Sequence, residues 1–376
     1  MSGGALTFSA ALLDARREHV PCSCDWVSNW SMESIRFLWA AITLAAAVWG
    51  QAPADVTVTL AAKDGRTQFR LGEAVKMELR FQSSAPGKYE VLTWPLERTT
   101  RFANHDRVFV EPEYGTVDPL SEMYETLSGE VLRGNDPIAS LGATPVVMGL
   151  FLNDWISFRR PGRYEITVDT DRVLGWGAKG RPKERPAWPG GPALPQWPGE
   201  HVPLRSNALA IDLVAPEHGW AEARLKEAVA VLEGPDSPDG PSAENAARVL
   251  RFLETPEAAQ AMVRLSVMPN SREQRQLDAG LWGSPYRNEI ISGMEQAISA
   301  PDFPVRYYFI EQLGYLRAAV RFGPAPDEGR LAYLQQARSI FSEVESALNQ
   351  SIPNKRGEAH TVSLETSAWL QRQPQF

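Results

Sequence analysis

The sequence predicts a chain of two parts, an antiparallel β-sandwich over residues 55–215 followed by an α-helical domain over 219–350. Three observations carry this. Through most of the first half, apolar residues alternate with polar ones, the period-two signature of half-buried strands. Gly and Pro turns break those runs into short pieces, which favours an antiparallel sheet over a parallel one. From Trp220 the spacing becomes helical: Ala223, Leu225, Val229 and Leu232 include i, i+4 and i+7 steps.

Composition bounds the function. A chain of 376 residues holds two or three domains. Its 43% apolar and 22% charged content is that of a globular protein. A net charge of −8, with no dense Lys/Arg run, excludes the electrostatic footprint of a nucleic-acid binder. Twelve Trp favour carbohydrate or protein contact weakly, because aromatic rings also fill cores.

Residues 32–50 read as a signal peptide. Met32 to Arg36 give a start and a short n-region, in which Glu33 offsets Arg36. Phe37 to Val48 is an uncharged apolar run, too short to span a bilayer and suited to an h-region. Small residues before Gln51 offer a cleavage site, and Ala52-Pro53-Ala54 offers a second. Residues 1–31 are then a non-native upstream extension, with Met32 as initiator; the other reading is a real extension that leaves an internal signal-anchor. Both cysteines, Cys22 and Cys24, lie in this extension and lack further ligands for a metal site. The mature chain is expected to be exported, periplasmic or extracellular, without stable membrane insertion.

The strands follow in order. Val56, Val58 and Leu60 alternate with Thr57 and Thr59, and Asp64-Gly65 turns the chain. Val75, Met77, Leu79 and Phe81 alternate with Lys76, Glu78 and Arg80, the cleanest strand in the chain. Tyr89 with Val91, Arg107 to Val110 and Val146 to Leu150 are further candidates. Arg160-Pro161-Gly162 reads as a turn joining Trp155–Phe158 to a strand at Tyr164, Ile166 and Val168, with Gly162 supplying a positive φ. Leu209, Ile211 and Leu213 close the set. The runs "LGEAVKMELRF", "FRRPGRYEITV" and "SNALAIDLV" resemble the immunoglobulin-like sandwiches of bacterial exported proteins, a likeness of architecture that brings no catalytic residues with it.

Residues 175–206 interrupt the sandwich with seven prolines and with Trp176, Trp188 and Trp197. Such a run favours extended polyproline backbone over helix or central strand. Its three Trp are the candidate partner-binding residues; the blander reading packs them onto the sandwich. Within 111–125, Glu111, Glu113, Asp118, Glu122 and Glu125 could hold calcium. Their spacing fits no Asp-x-Asp-x-Asp-Gly loop, and a solvated acidic loop is the simpler account.

In the helical part, Ser242 reads as an N-cap for Ala246, Val249, Leu250 and Leu253. Thr255-Pro256, Ser284-Pro285 and Asp302-Phe303-Pro304 read as further helix starts, and Asp327 as the last. The stretch "ENAARVLRFLETPEAAQAMVRL" resembles a HEAT or armadillo-type unit, which implies protein contacts along a concave face. Residues 351–376 are polar and weakly patterned, and read as a frayed tail that could mark a truncated chain.

Local signatures of chemistry are missing. His105, His201, His218 and His360 form no HExxH or HxH pair; His201 and His218 flank the closing strand and could meet, though two exposed loop histidines are the simpler reading. There is no Gly-x-Ser-x-Gly elbow and no phosphate-binding glycine pattern. A polysaccharide hydrolase would need two carboxylates about 5–10 Å apart, with Asp154 or the pair Glu111/Glu113 as first candidates. The expectation is thus a non-enzymatic binding or scaffold protein with a protein partner and no cofactor, the alternative being a carboxylate-dependent hydrolase acting on polysaccharide.

Overall fold

The computed structural model describes residues 53–96, 98, 105–127, 137–176, 200–234, 241–267, 271–324 and 329–372. The signal segment 32–50, the extension 1–31, Trp188 and Trp197 lie outside them. No helix among the described residues is long and apolar enough to cross a membrane.

Alternation becomes sheet in the first half. In chain order the elements are β1 (Val56–Ala62), β2 (Gln68–Arg70), β3 (Lys76–Ser83), β4 (Tyr89–Leu92), β5 (Asp106–Glu111), β6 (Thr116–Val117) and helix α1 (Ser121–Leu127). They continue with β7 (Ile138–Ser140), β8 (Val146–Phe151), β9 (Ser157–Phe158), β10 (Gly162–Gly175), β11 (Glu200–Arg205) and β12 (Leu209–Val214). One sheet has the order β1-β3-β8, all antiparallel. Leu60, Leu79 and Met148 stand in one cross-strand row. The second sheet is mixed, with order β2-β12-β10-β4-β7, because β2 runs parallel to β12. The long β10 is its centre: β12 and then β11 line one edge, and β5 and then β4 line the other. Leu60, Leu79 and Phe81 from the first sheet share a core with Val91, Ile166, Val168 and Ile211 from the second.

The hairpin expected across Arg160-Pro161-Gly162 does not form. Phe158 pairs with Thr116 in the small β6–β9 ladder, while β10 pairs with β12 and β5. The Leu152–Asp154 turn redirects the chain before β9, and the Tyr164 hydroxyl donates back to the Arg160 carbonyl at 3.0 Å. Gly162 opens β10 without the positive φ expected of it. The Pro-rich run is shorter than its composition suggests, since 200–205 is strand β11. Pro203 is tolerated there because β11 pairs only with β10 and Pro203 faces the register shift between Thr170 and Val173.

The helices are α2 (Trp220–Leu232), α3 (Pro241–Leu253), α4 (Pro256–Leu265), α5 (Arg272–Gly283), α6 (Arg287–Ser299), α7 (Tyr307–Phe322), α8 (Arg330–Ser351) and α9 (Gly357–Arg372). Thr255 caps α4 as expected, its hydroxyl accepting from the Ala258 N–H at 3.1 Å. Ser242 is not a cap, because α3 already begins at Pro241. Ser284-Pro285 forms a turn ahead of α6 and Asp302-Phe303-Pro304 one ahead of α7, each ending before the helix starts. Each helix from α3 to α6 packs on its neighbour, α3 also packs on α5, and α4 on α6. Their core takes in Leu120, which precedes α1, and Met123 within it, so a segment of the β-half belongs to the helical packing.

The tail is not frayed. Residues 357–372 form α9 with Ala359, Ser363, Thr366 and Ser367 buried, and the Ser363 hydroxyl accepts from the Val305 N–H at 3.2 Å. The buried Lys355 ammonium donates to the carbonyls of Ala300 (2.7 Å) and Phe303 (2.9 Å), just past the end of α6. Residues 52–376 make one compact unit.

Candidate functional site: the seam between strands and helices

Three short segments meet where the β-half faces the helices: the β2–β3 turn, residues 152–159 after β8, and the α3–α4 turn at Glu254. Gly72 lets the first approach the third. Its φ of +81° is left-handed, and a Cβ there would lie 3.3 Å from the Phe252 carbonyl oxygen. Asn153 latches the second to the first, its Oδ1 accepting from the Val75 N–H at 2.7 Å and its Nδ2 donating to the Glu73 carbonyl at 3.1 Å. Between them lies a cleft of about 420 Å³, lined by Arg70, Glu73, Ser157, Trp220, Glu254 and Tyr286 among others. Sites for small ligands are commonly of this size.

Buried charge crosses this seam. Asp154 Oδ1 lies 2.9 Å from Arg251 Nη1, and both residues are buried. Arg98 donates to Asp118 at 2.6 Å and lies over the rings of both Tyr124 and Trp155 at 4.9 Å. Burial pushes the Tyr124 hydroxyl up to about 12, against the pull of Arg98. Glu122 at α1 is paired with Arg287 at α6, 2.5 Å apart. Removing such charges from water is costly, and each is matched by a partner.

Glu254 is the unusual group. It has a positive φ of 48°, a conformation that a non-glycine residue adopts only when its surroundings impose it. Its carboxylate accepts from the Ser157 hydroxyl at 2.6 Å and pairs with Arg159 at 3.2 Å. Burial raises its pKa, and the Ser157 hydrogen bond and the Arg159 charge only partly offset this. Across the cleft, Glu73 accepts the Arg70 N–H at 3.0 Å and binds Arg66 at 2.8 Å. A strained, half-buried carboxyl with a raised pKa in a cleft is a recurrent mark of functional sites.

The structure separates the other candidates. Trp176 is half-buried just past β10, its main-chain N–H donating to the Lys88 carbonyl at 3.1 Å. Asp154 is 1% exposed and committed to Arg251, so it offers no carboxylate to a substrate. Glu111 and Glu113 are exposed. The acids of 111–125 do not converge on an ion site among the described residues: Asp118 serves Arg98, and Glu122 serves Arg287. His201 meets His105 rather than the exposed His218, because the β10–β11 pairing carries it toward the start of β5. Sequence reasoning missed Glu254 and Ser157, which are 97 positions apart; the one local signal was a charged residue just ahead of the Thr255-Pro256 helix start. The chain matches no protein-family model and no curated protein.

Proposed function

We propose that this protein is an exported, non-enzymatic binding protein that contacts a protein partner through the Trp/Pro-rich segment 175–206 and a face of its helical part. The observation that carries this reading is apolar surface where α7 gives way to α8. Val320, Phe322 and Leu331 are exposed there, Leu331 by 77%, and exposed apolar side chains grouped on one region mark interaction sites. The finer architecture fits the same reading. Two sheets that share one core support an immunoglobulin-like sandwich, and helices that pack on the next and the next but one support a HEAT-like stack.

Photo-crosslinking tests this. A photoreactive residue at Leu331 should capture one protein from envelope extract, capture should fail with Trp188→Ala/Trp197→Ala, and a probe at the exposed Glu222 should capture nothing. Equal capture at 331 and 222 would refute the reading. Intact mass of the exported chain should begin at Gln51.

Glu254 favours a second reading, a carboxylate-dependent hydrolase whose substrate is a polysaccharide bound in the cleft. Reducing-sugar release by the native chain, abolished in Glu254→Gln, would replace the first reading with this one.

A further inference from the structure

Three strands of the mixed sheet bring together side chains that are far apart in sequence. His105 directly precedes β5, Asp171 sits in the β10 bulge, and His201 is the second residue of β11. The bulge is what aims them. It leaves Asp171 and Arg172 outside the regular pairing with β11 and turns their side chains to different partners. Arg172 goes to the buried Asp106 at 2.7 Å, so its charge is already matched. Asp171 goes to the two histidines.

Asp171 holds both rings by the same nitrogen. Its Oδ1 lies 2.6 Å from His105 Nδ1, and its main-chain oxygen lies 2.6 Å from His201 Nδ1. The carbonyl at His201 Nδ1 favours the tautomer that donates there, leaving its Nε2 lone pair open, while His105 Nδ1 already faces the Asp171 carboxylate, where an ion can take the place of the shared proton. A carbonyl on the far nitrogen, as at His201, is a usual support of a metal-ligating histidine. The spacing fits as well. The ring centroids are 5.5 Å apart; two imidazoles sharing one tetrahedral ion through bonds of about 2.0–2.1 Å would have centroids about 5 Å apart. One ligand atom from each of the three residues lies within 4.8 Å of the others. Half of the Asp171 side chain is exposed, which opens a route from solvent.

We propose that His105, Asp171 and His201 bind one divalent transition-metal ion of the zinc class, through one ring nitrogen of each histidine and the Asp171 carboxylate. Two imidazoles and one carboxylate favour zinc, cobalt or nickel over calcium or magnesium. Three protein ligands leave a coordination position for water or a ligand atom. The site is independent of the partner-binding reading and of the Glu254 cleft.

The test uses the full chain, tag removed and stripped with chelator, with Cys22→Ser and Cys24→Ser throughout so that the other sulfur ligands are absent. Zinc is titrated calorimetrically and cobalt by its visible absorption. The expected result is one ion per chain with the absorption of low-coordinate cobalt. His201→Asn and Asp171→Asn should each weaken binding at least about 10-fold, while His218→Asn and His360→Asn leave it unchanged. Zinc should raise the melting temperature of the parent chain and leave that of His201→Asn unmoved; His201 is exposed, so its loss spares the fold. No binding to a chain with native circular dichroism, or equal affinity in the parent and His201→Asn, would overturn the proposal.

Discussion

Replacing Arg251 by Met should unlock the seam. Arg251 is 6% exposed, lies 2.9 Å from Asp154 and donates to Gln276 at 3.0 Å. Burial lowers its pKa, opposed by the Asp154 charge. Desolvation is therefore already working against the cation, and the Asp154 charge opposes it. Arg251→Met removes the cation and strands a carboxylate that is 1% exposed. Breaking a buried pair from one side costs about 3–5 kcal/mol. Asp154→Leu strands the guanidinium instead and should cost the same. With both changes no charge is left uncompensated, and the loss should shrink to about 1–2 kcal/mol, since buried pairs are often replaceable by apolar groups. The coupling between the two positions is then about 4–9 kcal/mol, well above the scatter of independent sites. Urea unfolding followed by Trp fluorescence and by far-UV circular dichroism measures all four chains. If Arg251→Met falls within about 1 kcal/mol of the parent, or the double variant equals the sum of the singles, the pair is not what joins the halves.

Three further outcomes follow from the packing and the burial of single groups. Gly283→Ala places a Cβ 2.8 Å from the Pro119 carbonyl oxygen and should cost about 1–3 kcal/mol, whereas Gly293→Ala meets only Val263 methyls at ordinary distance and should stabilise α6 by up to about 1 kcal/mol; melting temperatures compare them. Glu254 has a folded pKa raised by burial, so its contribution to stability is fully present below its ordinary value of about 4.5 and is lost as pH rises through the higher folded value. Glu254→Gln should therefore melt higher than the parent at pH 8 and lose that advantage at pH 4. Lys355→Met leaves the Ala300 and Phe303 carbonyls without their donor, and hydrogen exchange across 357–372 should quicken while that of β1 and β3 does not change.

Legibility tracked the range of the interaction. β1, β3 and β12 were visible because a strand with one buried face writes its period into the sequence, and the burial of Val56–Ala62 alternates accordingly. The Thr255-Pro256 start was visible because a cap and its acceptor lie three residues apart. Helix α5 was missed: its cap Ser271 is ordinary, and polar Glu273, Gln274 and Gln276 are buried on its inner face, which erases the apolar stripe. The parallel addition of β2 to β12 was hidden because pairing partners leave no mark on either strand. The meeting of His201 with His105 was hidden for the same reason, and the bulge that aims Asp171 at the rings is a property of register. The tail read as frayed because Ser363, Thr366 and Ser367 are polar residues buried by hydrogen bonding and packing rather than by apolarity.

The central place of β10 has a consequence for how the protein is made. Its partners run from Tyr89 in β4 to Leu213 in β12. On a growing chain, β1, β3 and β8 can pair once residue 151 has emerged, but the sheet that covers their apolar face cannot close until about sixty more residues have followed. Ile211 and Leu213 are among the last core side chains to arrive. Until the ribosome has delivered them, the layer facing Leu79 and Phe81 is incomplete. A chain that completes its first core so late remains available, throughout that interval, to a chaperone or a translocase.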